Sequence, residues 1–299
     1  MAREFLRRGD RVVVCGRGTP RVAAAVAALQ REFNLNSGGG AGGGSGGGGG
    51  GGAAVWGTAC DVSSPNDVRA LGAFARNKLA AGGGVHLWIN NAGCAAGRGA
   101  LMDADPQDIA AVVGTNTLGT LLCCREAMRT MAAQQNGFPG NVFNVDGAGV
   151  NGGATKRFAA YGATKRAMPQ LTASLTAEIK DAGLEKRVQV HTMSPGMVLT
   201  DLLLEGSEPN TRKLFNALAE EPDTVAADLV PRLREVDGEK GSTYIKFLTT
   251  PQALGRLALG APQILAGGRF FDGKGVRVKT AGAMYKRNGA RKFYAEEDE

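Results

Sequence analysis

Between Arg11 and Met193, short strand-like runs rich in β-branched residues alternate strictly with longer stretches of helical spacing. Arg11–Cys15 (RVVVC), Val55–Asp61, Val85–Asn90 (VHLWIN), Asn141–Val145 and Val188–Met193 read as strands. Val22–Phe33, Pro65–Leu79, residues 105–135 (one long helix or two in succession) and 160–182 read as helices. Strands joined through helices run parallel, and the crossovers are right-handed. The pattern therefore predicts an α/β fold, a doubly wound parallel sheet of the Rossmann type. Ligands of such sheets bind beyond the carboxyl ends of the strands. At those ends this chain carries Asn90-Asn91-Ala92-Gly93, a loop over 146–153, and Ser194-Pro195-Gly196.

A chain of 299 residues suits one large α/β domain or two small ones, with enough length to bury a full core. No apolar run approaches the roughly 20 residues of a membrane span. Residues 37–52 are almost entirely glycine, with two serines and one alanine. Ordering so much glycine costs too much backbone entropy, so this stretch is expected to be a disordered surface insertion without chemistry of its own. The five cysteines (15, 60, 94, 123 and 124) lie in apolar contexts without metal-ligand spacing. Unbridged thiols follow, and no metal site is expected. His86 and His191 sit in strand-like runs and read as core or strand-end residues. The net charge of +7 favours acidic partners, with a basic cluster at Lys279, Lys286, Arg287, Arg291 and Lys292. No aromatic-interleaved stripe accompanies it, so no nucleic-acid partner is expected. Attraction to an anionic membrane surface stays open.

Tyr161 and Lys165 stand one helical turn apart in YGATK, on one face of a helix. A free phenol, with a pKa of about 10, is too weak an acid to deliver a proton quickly at neutral pH. A nearby ammonium would lower that value and make Tyr161 a usable general acid.

NNAG, YxxxK, the asparagine between them (Asn116) and PGxxxT together resemble the short-chain dehydrogenase/reductase family, over nearly the whole chain. AREFLRRGDRVVV, CDV, WINNAG, NVDGAG, YGATK, SPGMVLTDLLL and GRFFD are similar to its chlorophyll b reductase branch. That branch reduces the C7 formyl group of chlorophyll b to hydroxymethyl with NADPH, at the thylakoid surface. The resemblance implies Tyr161 as proton donor, with Lys165 as its pKa-lowering partner and ribose ligand. Asn116 would hold the water of a proton relay. Asn91, Ala92 and Gly93 would line the adenosine side, Asp61 would meet the adenine with Val62 beside it, and Val198 and Thr200 would contact the nicotinamide amide. Arg17 sits where NADP-preferring members place a cation for the 2′-phosphate.

Two departures stand out. The family's catalytic serine is replaced by Asp146 in VDGAG, as in the chlorophyll b reductase branch. An aspartate donates only when protonated, so orienting a carbonyl would need a raised pKa or another donor. Asp146 could equally cap its loop. The second departure is that no strand with a TGxxxGxG loop precedes residue 10. RVVVCGRG could be a degenerate first strand, with Gly16 and Gly18 binding phosphate. Counting argues otherwise: from Gly18 to Val55, with 37–52 set aside, only about 20 residues remain, enough for one helix. RVVVC is then the family's second strand and MAREFLRRG the end of its first helix. The first strand and glycine loop are expected to be missing, as from a truncated reading of the gene. In this family strand one lies between strands two and four, so its loss would expose two buried edges, each unsatisfied group costing about 1–3 kcal/mol. It would also remove the amides that hold the pyrophosphate, so weak NADPH binding is expected.

The expected layout is a dehydrogenase/reductase domain over 1–271, with 197–235 as a lid over a large apolar macrocycle, then a partly disordered extension over 272–299. The expected partners are chlorophyll b or a similar apolar carbonyl, the thylakoid surface, and a homo- or hetero-oligomer with a related reductase. The chloroplast is implied by the resemblance alone. Reduction of another bulky carbonyl, or a non-catalytic scaffold role, stays open.

Overall fold

A computed structural model describes residues 1–35, 52–95, 97–135, 139–236 and 241–278. The glycine tract over 37–52, apart from its last residue, and the tail from 279 onward lie outside the described residues.

Helix α1 (Ala2–Arg7) leads into β1 (Arg11–Gly16) and α2 (Thr19–Glu32). Then come β2 (Ala54–Ala59), α3 (Pro65–Leu79) and β3 (Leu87–Asn90). The β1–β2 ladder closes with Cys60 N donating to the Gly16 carbonyl, and the next amide, Asp61 N, turns away to the Asp67 carboxylate. Strand β3 starts two residues later than the sequence suggests. Gln134 satisfies both backbone groups of Val85 through its side-chain amide, at 2.6 and 3.1 Å, and so replaces the ladder there.

The helical stretch expected over 105–135 is α4 (Pro106–Val113) and α5 (Thr120–Ala132), joined by a π-helical turn over Gly114–Gly119. Next come β4 (Gly140–Val145), α6 (Ala159–Asp181) and β5 (Val188–Ser194). The remainder comprises β6 (Met197–Val198), α7 (Asp201–Leu204), α8 (Pro209–Leu218), β7 (Ala219–Glu220), α9 (Pro222–Arg234), β8 (Tyr244–Lys246) and α10 (Thr250–Ala266). The last two were not legible as elements from the sequence pattern.

All paired strands are parallel. β3, β4, β5 and β8 form one sheet in that order, β1 pairs with β2, and β6 with β7. Among the described residues no ladder joins β1 to β3. Side chains nevertheless link them: Val13 packs on the cluster holding Val85 and Trp88, and Val12 on the one holding Phe143 and Met193. Directly after β2 the chain reads CDV, and α3 leads from there to β3 and NNAG with no strand between. That order fits β1 as the family's second strand.

Helix α9 buries Val225, Leu229, Val230 and Leu233 in the same cluster as Phe143 and Met193. Within 197–235, residues 222–234 are therefore core, and only the part around α7 and α8 is free to cover a ligand. Helix α8 packs through Phe215 against Phe270 and Phe271, beneath α10.

Candidate active site

The carboxyl ends of β3, β4 and β5 bring the proton-handling residues together. Tyr161 and Lys165 lie in the first turns of α6 and are buried, 8% and 6% exposed. Lys165 Nζ stands 5.6 Å from the centre of the Tyr161 ring and donates to the Val145 carbonyl at 3.0 Å. The residue after Asp146 has to be glycine: a Cβ on Gly147 would lie 2.3 Å from the Tyr161 hydroxyl. Two further bare positions clamp this loop onto α6. Gly149, at φ +98°, leaves no room for a Cβ above the Gly162 backbone, and a Cβ on Gly162 would strike Thr155 at 2.0 Å.

The expected lowering of the tyrosine pKa is not what the surroundings produce. Burial, and after it the charge of Asp146, push the Tyr161 phenol up to about 12. Burial pulls Lys165 below its ordinary value, opposed by the charges of Asp146 and Cys94. The correction has a physical cause: desolvation outweighs a cation that spends its hydrogen bond on a backbone carbonyl.

Asn116 sits in the π-helical turn, a device common at functional sites, and is 1% exposed. Its side chain is fully engaged. Oδ1 accepts from Cys94 N at 2.9 Å, and Nδ2 donates to Cys94 O at 2.9 Å and to Thr164 Oγ1 at 3.1 Å. It thereby fastens the strand-end loop after NNAG to α6. Gly93 lies beside it, its Cβ position 3.4 Å from Asn116 Oδ1 and 4.0 Å from Lys165 Nζ. Asn91, Ala92 and Gly93 are exposed along this rim.

Asp146 does not cap its own loop. Its buried carboxyl accepts from the Tyr244 hydroxyl of β8 and from Ser194 at the end of β5. Burial raises its pKa, while Tyr244, Ser194, Lys165 and Lys246 pull it down. Tyr244 escaped the sequence reading. The signal that could have exposed it was the alternation itself, which calls for another strand after α9.

At the other end of the cleft, Asp61 Oδ1 accepts from the Ser63 amide at 2.9 Å and hydroxyl at 2.7 Å. These bonds, with the nearby charge of Arg17, hold its carboxyl below the usual range despite burial. Arg17 is exposed at the end of β1, and Val62 fills the space over Gly119. Val198 belongs to the small β6 ladder and packs towards Met193. Thr200 precedes α7 and bonds back to the Val198 carbonyl. The glycine turn that opens a helix directly after β1 is Gly16-Arg17-Gly18, with Gly18 as the N-cap of α2.

Beside Tyr161 a cleft is walled by Leu101, Ile109, Val112 and Phe158, with Arg157 and Asp108 at its edge. Arg98 stacks on Phe158 at 4.6 Å and donates to the Leu203 and Glu205 carbonyls, tying this wall to the α7 segment. All five cysteines are free thiols. Buried His191 bonds Asn141 and Thr243, and burial lowers its pKa to about 4. Among the described residues no cluster of side chains is arranged to hold a metal ion.

The profile of the short chain dehydrogenase family matches residues 48–210. Chlorophyll(ide) b reductase NOL, chloroplastic, of Arabidopsis thaliana is 46% identical over 269 residues, 87% of this chain and 70% of that protein. Probable chlorophyll(ide) b reductase NYC1, chloroplastic, of Oryza sativa subsp. japonica is 43% identical over 290 residues. That match takes in 97% of this chain but 54% of the rice protein, so the chain spans about half its length. Two solved structures share the fold. The alcohol dehydrogenase of Thermococcus sibiricus with 5-hydroxy-NADP has a TM-score of 0.60 at 20% identity, covering 82% of this chain and 88% of that one. Serine dehydrogenase with NADP+ gives 0.62 at 19% identity, covering 84% and 90%. With the Tyr161–Lys165 pair, buried Asn116 and the parallel sheet in hand, the chain belongs to the short chain dehydrogenase family, whose members bind NAD or NADP.

Proposed function

We propose that this chain reduces the C7 formyl group of chlorophyll b to hydroxymethyl, with NADPH as the hydride source. The observation that carries the reading is an intact proton-delivery site in a chain 40–46% identical to four chlorophyll(ide) b reductases over 86–97% of its length. The aspartate in the usual serine position and the apolar cleft beside Tyr161 support it.

NADPH, when bound, would supply the hydride for the formyl carbon. Tyr161 donates its proton to the oxygen as negative charge develops there. A phenol raised to about 12 stays protonated at neutral pH, so the donor is loaded before each turnover. Lys165 holds positive charge beside the phenolate that remains. Because the Asn116 side chain is consumed and its carbonyl takes the Thr120 hydroxyl at 2.8 Å, a relay water would use the second lone pair of that carbonyl. Arg17, exposed at the end of β1, would meet the 2′-phosphate and select NADPH over NADH.

The lid for the macrocycle is the segment around α7 and α8, hinged on the Arg98 bonds. Helix α10 next to it exposes Leu254, Leu259 and Leu265, at 62%, 85% and 80%. Leu254 and Leu265 lie within about 20° of each other around the helix axis, and such bare leucines suit a lipid surface in which an apolar pigment is dissolved. This supports a peripheral position on the thylakoid membrane of a chloroplast. No described helix is long and apolar enough to cross a membrane.

The test is incubation of the chain with NADPH and micellar chlorophyll b, followed by chromatography for the hydroxymethyl product. Turnover of simple aldehydes without that product would end the substrate claim. Titration with NADPH reports separately on whether the chain holds the cofactor.

A further inference from the structure

We propose that Tyr244 is a positioning residue, whose phenol holds Asp146 as the buried counter-charge of Lys165. The inference rests on the reading of Tyr161 and Lys165 as the proton-delivering pair, and it adds a residue from a strand outside the family's signature motifs.

The geometry is as follows. Lys165 is a buried cation, 6% exposed, and its hydrogen bond goes to a neutral carbonyl, that of Val145. An unpaired buried ammonium is costly, and the ordinary outcome is loss of its proton. Where the family carries a neutral serine hydroxyl, this chain has the carboxyl of Asp146, one residue beyond that carbonyl and itself 7% exposed. The carboxyl is drawn towards β8 and not towards the substrate cleft: Oδ2 accepts from Tyr244, and Ser194 donates as well. A phenol donating to a carboxyl oxygen favours the ionised acid.

The charged and titratable groups facing Asp146 are Lys165 and Tyr161 on α6, and Tyr244 and Lys246 on β8; Ser194 on β5 adds a hydroxyl. Lys246 lies 4.2 Å from the centre of the Tyr244 ring, so the phenol is held on its far side as well. An ionised Asp146 keeps Lys165 charged against its burial, and keeps the Tyr161 proton in place until substrate oxygen takes it. On this account Asp146 does not orient the substrate carbonyl as a serine would.

The experiment follows 13C-labelled aspartate carboxyl and lysine Cε resonances through a pH titration of the full chain, with Asp146→Asn and Tyr244→Phe as variants. Both are close in shape to the native residues. Tyr244→Phe should raise the Asp146 midpoint by about one pH unit. Asp146→Asn should lower the Lys165 midpoint by a similar step, and the Tyr244 midpoint should fall in the same variant, since coupling between two sites is reciprocal. In turnover, Tyr244→Phe should move the acidic limb of the kcat profile to higher pH with KM unchanged. That movement should vanish in the Asp146→Asn background. An Asp146 midpoint indifferent to Tyr244→Phe, or a Lys165 midpoint indifferent to Asp146→Asn, overturns the proposal. A chain that gives these shifts but does not reduce chlorophyll b loses the proposed substrate and keeps this inference.

Discussion

Strand β4 is buried along almost its whole length, whereas every residue of β1 is at least partly accessible. β4 is flanked by β3 and β5 through full parallel ladders, while β1 pairs with β2 alone among the described residues. The Tyr161–Lys165–Asn116–Asp146 group gathers beside β4: Asp146 directly follows that strand, and Lys165 of α6 donates to the carbonyl of its last residue, Val145. The charged pair Arg17 and Asp61 follows the singly paired strands. Burial shifts the pKa values of the first group upward or downward; at Asp61 the hydrogen bonds of Ser63 outweigh burial, and Arg17 beside it is exposed.

The largest effect expected at the buried end is Tyr161→Phe. Removing the proton donor should lower kcat by about 10²–10⁴-fold with the fold intact by circular dichroism. Retention of more than a tenth of wild-type turnover would assign the proton to another group. Next comes stability: Phe143→Ala on β4 should cost about 3–5 kcal/mol, against nearer 1 kcal/mol for Val14→Ala on β1. Urea unfolding measures both, and equal losses would erase the contrast between the strands.

The third effect is on pH. His191 is held neutral down to about 4, against 6.5 for the unfolded ring. Below 6.5 the unfolded chain binds the proton first, so stability is full above that value. It falls by about 3 kcal/mol as pH drops to about 4. His191→Gln should flatten this slope, and an unchanged slope would show that another group carries it. The smallest effect lies at the exposed end: Arg17→Ala should narrow the preference for NADPH over NADH by about tenfold, as read by calorimetry. A ratio that does not move would leave Arg17 a solvated cation.

Much of this comparison could be read from the chain itself. Parallel strands and the positions of NNAG, YGATK and SPG follow from alternation and from turn residues at strand ends, and these are local signals. Pro65–Leu79 matches its expected range because Ser64 caps it and Pro65 opens it. What stayed hidden depends on contacts distant in sequence. Tyr244 reaches Asp146 across 98 positions, and no periodicity reports such a bond. Helix α10 escaped because Gly255, Gly260 and Pro262 interrupt its sequence with residues that ordinarily mark turns. The sign of the Tyr161 shift was missed for a related reason: spacing shows that a cation is near, but desolvation is a property of the folded surroundings.

The three bare positions at Gly147, Gly149 and Gly162 lock one wall of the cleft against the catalytic helix, so sequence drift there is nearly forbidden. The stretch Leu101–Val112 on the other side of Tyr161 contains no glycine confined in this way. New substrate preferences, whether reached by natural divergence or in the laboratory, would therefore accumulate on that side alone.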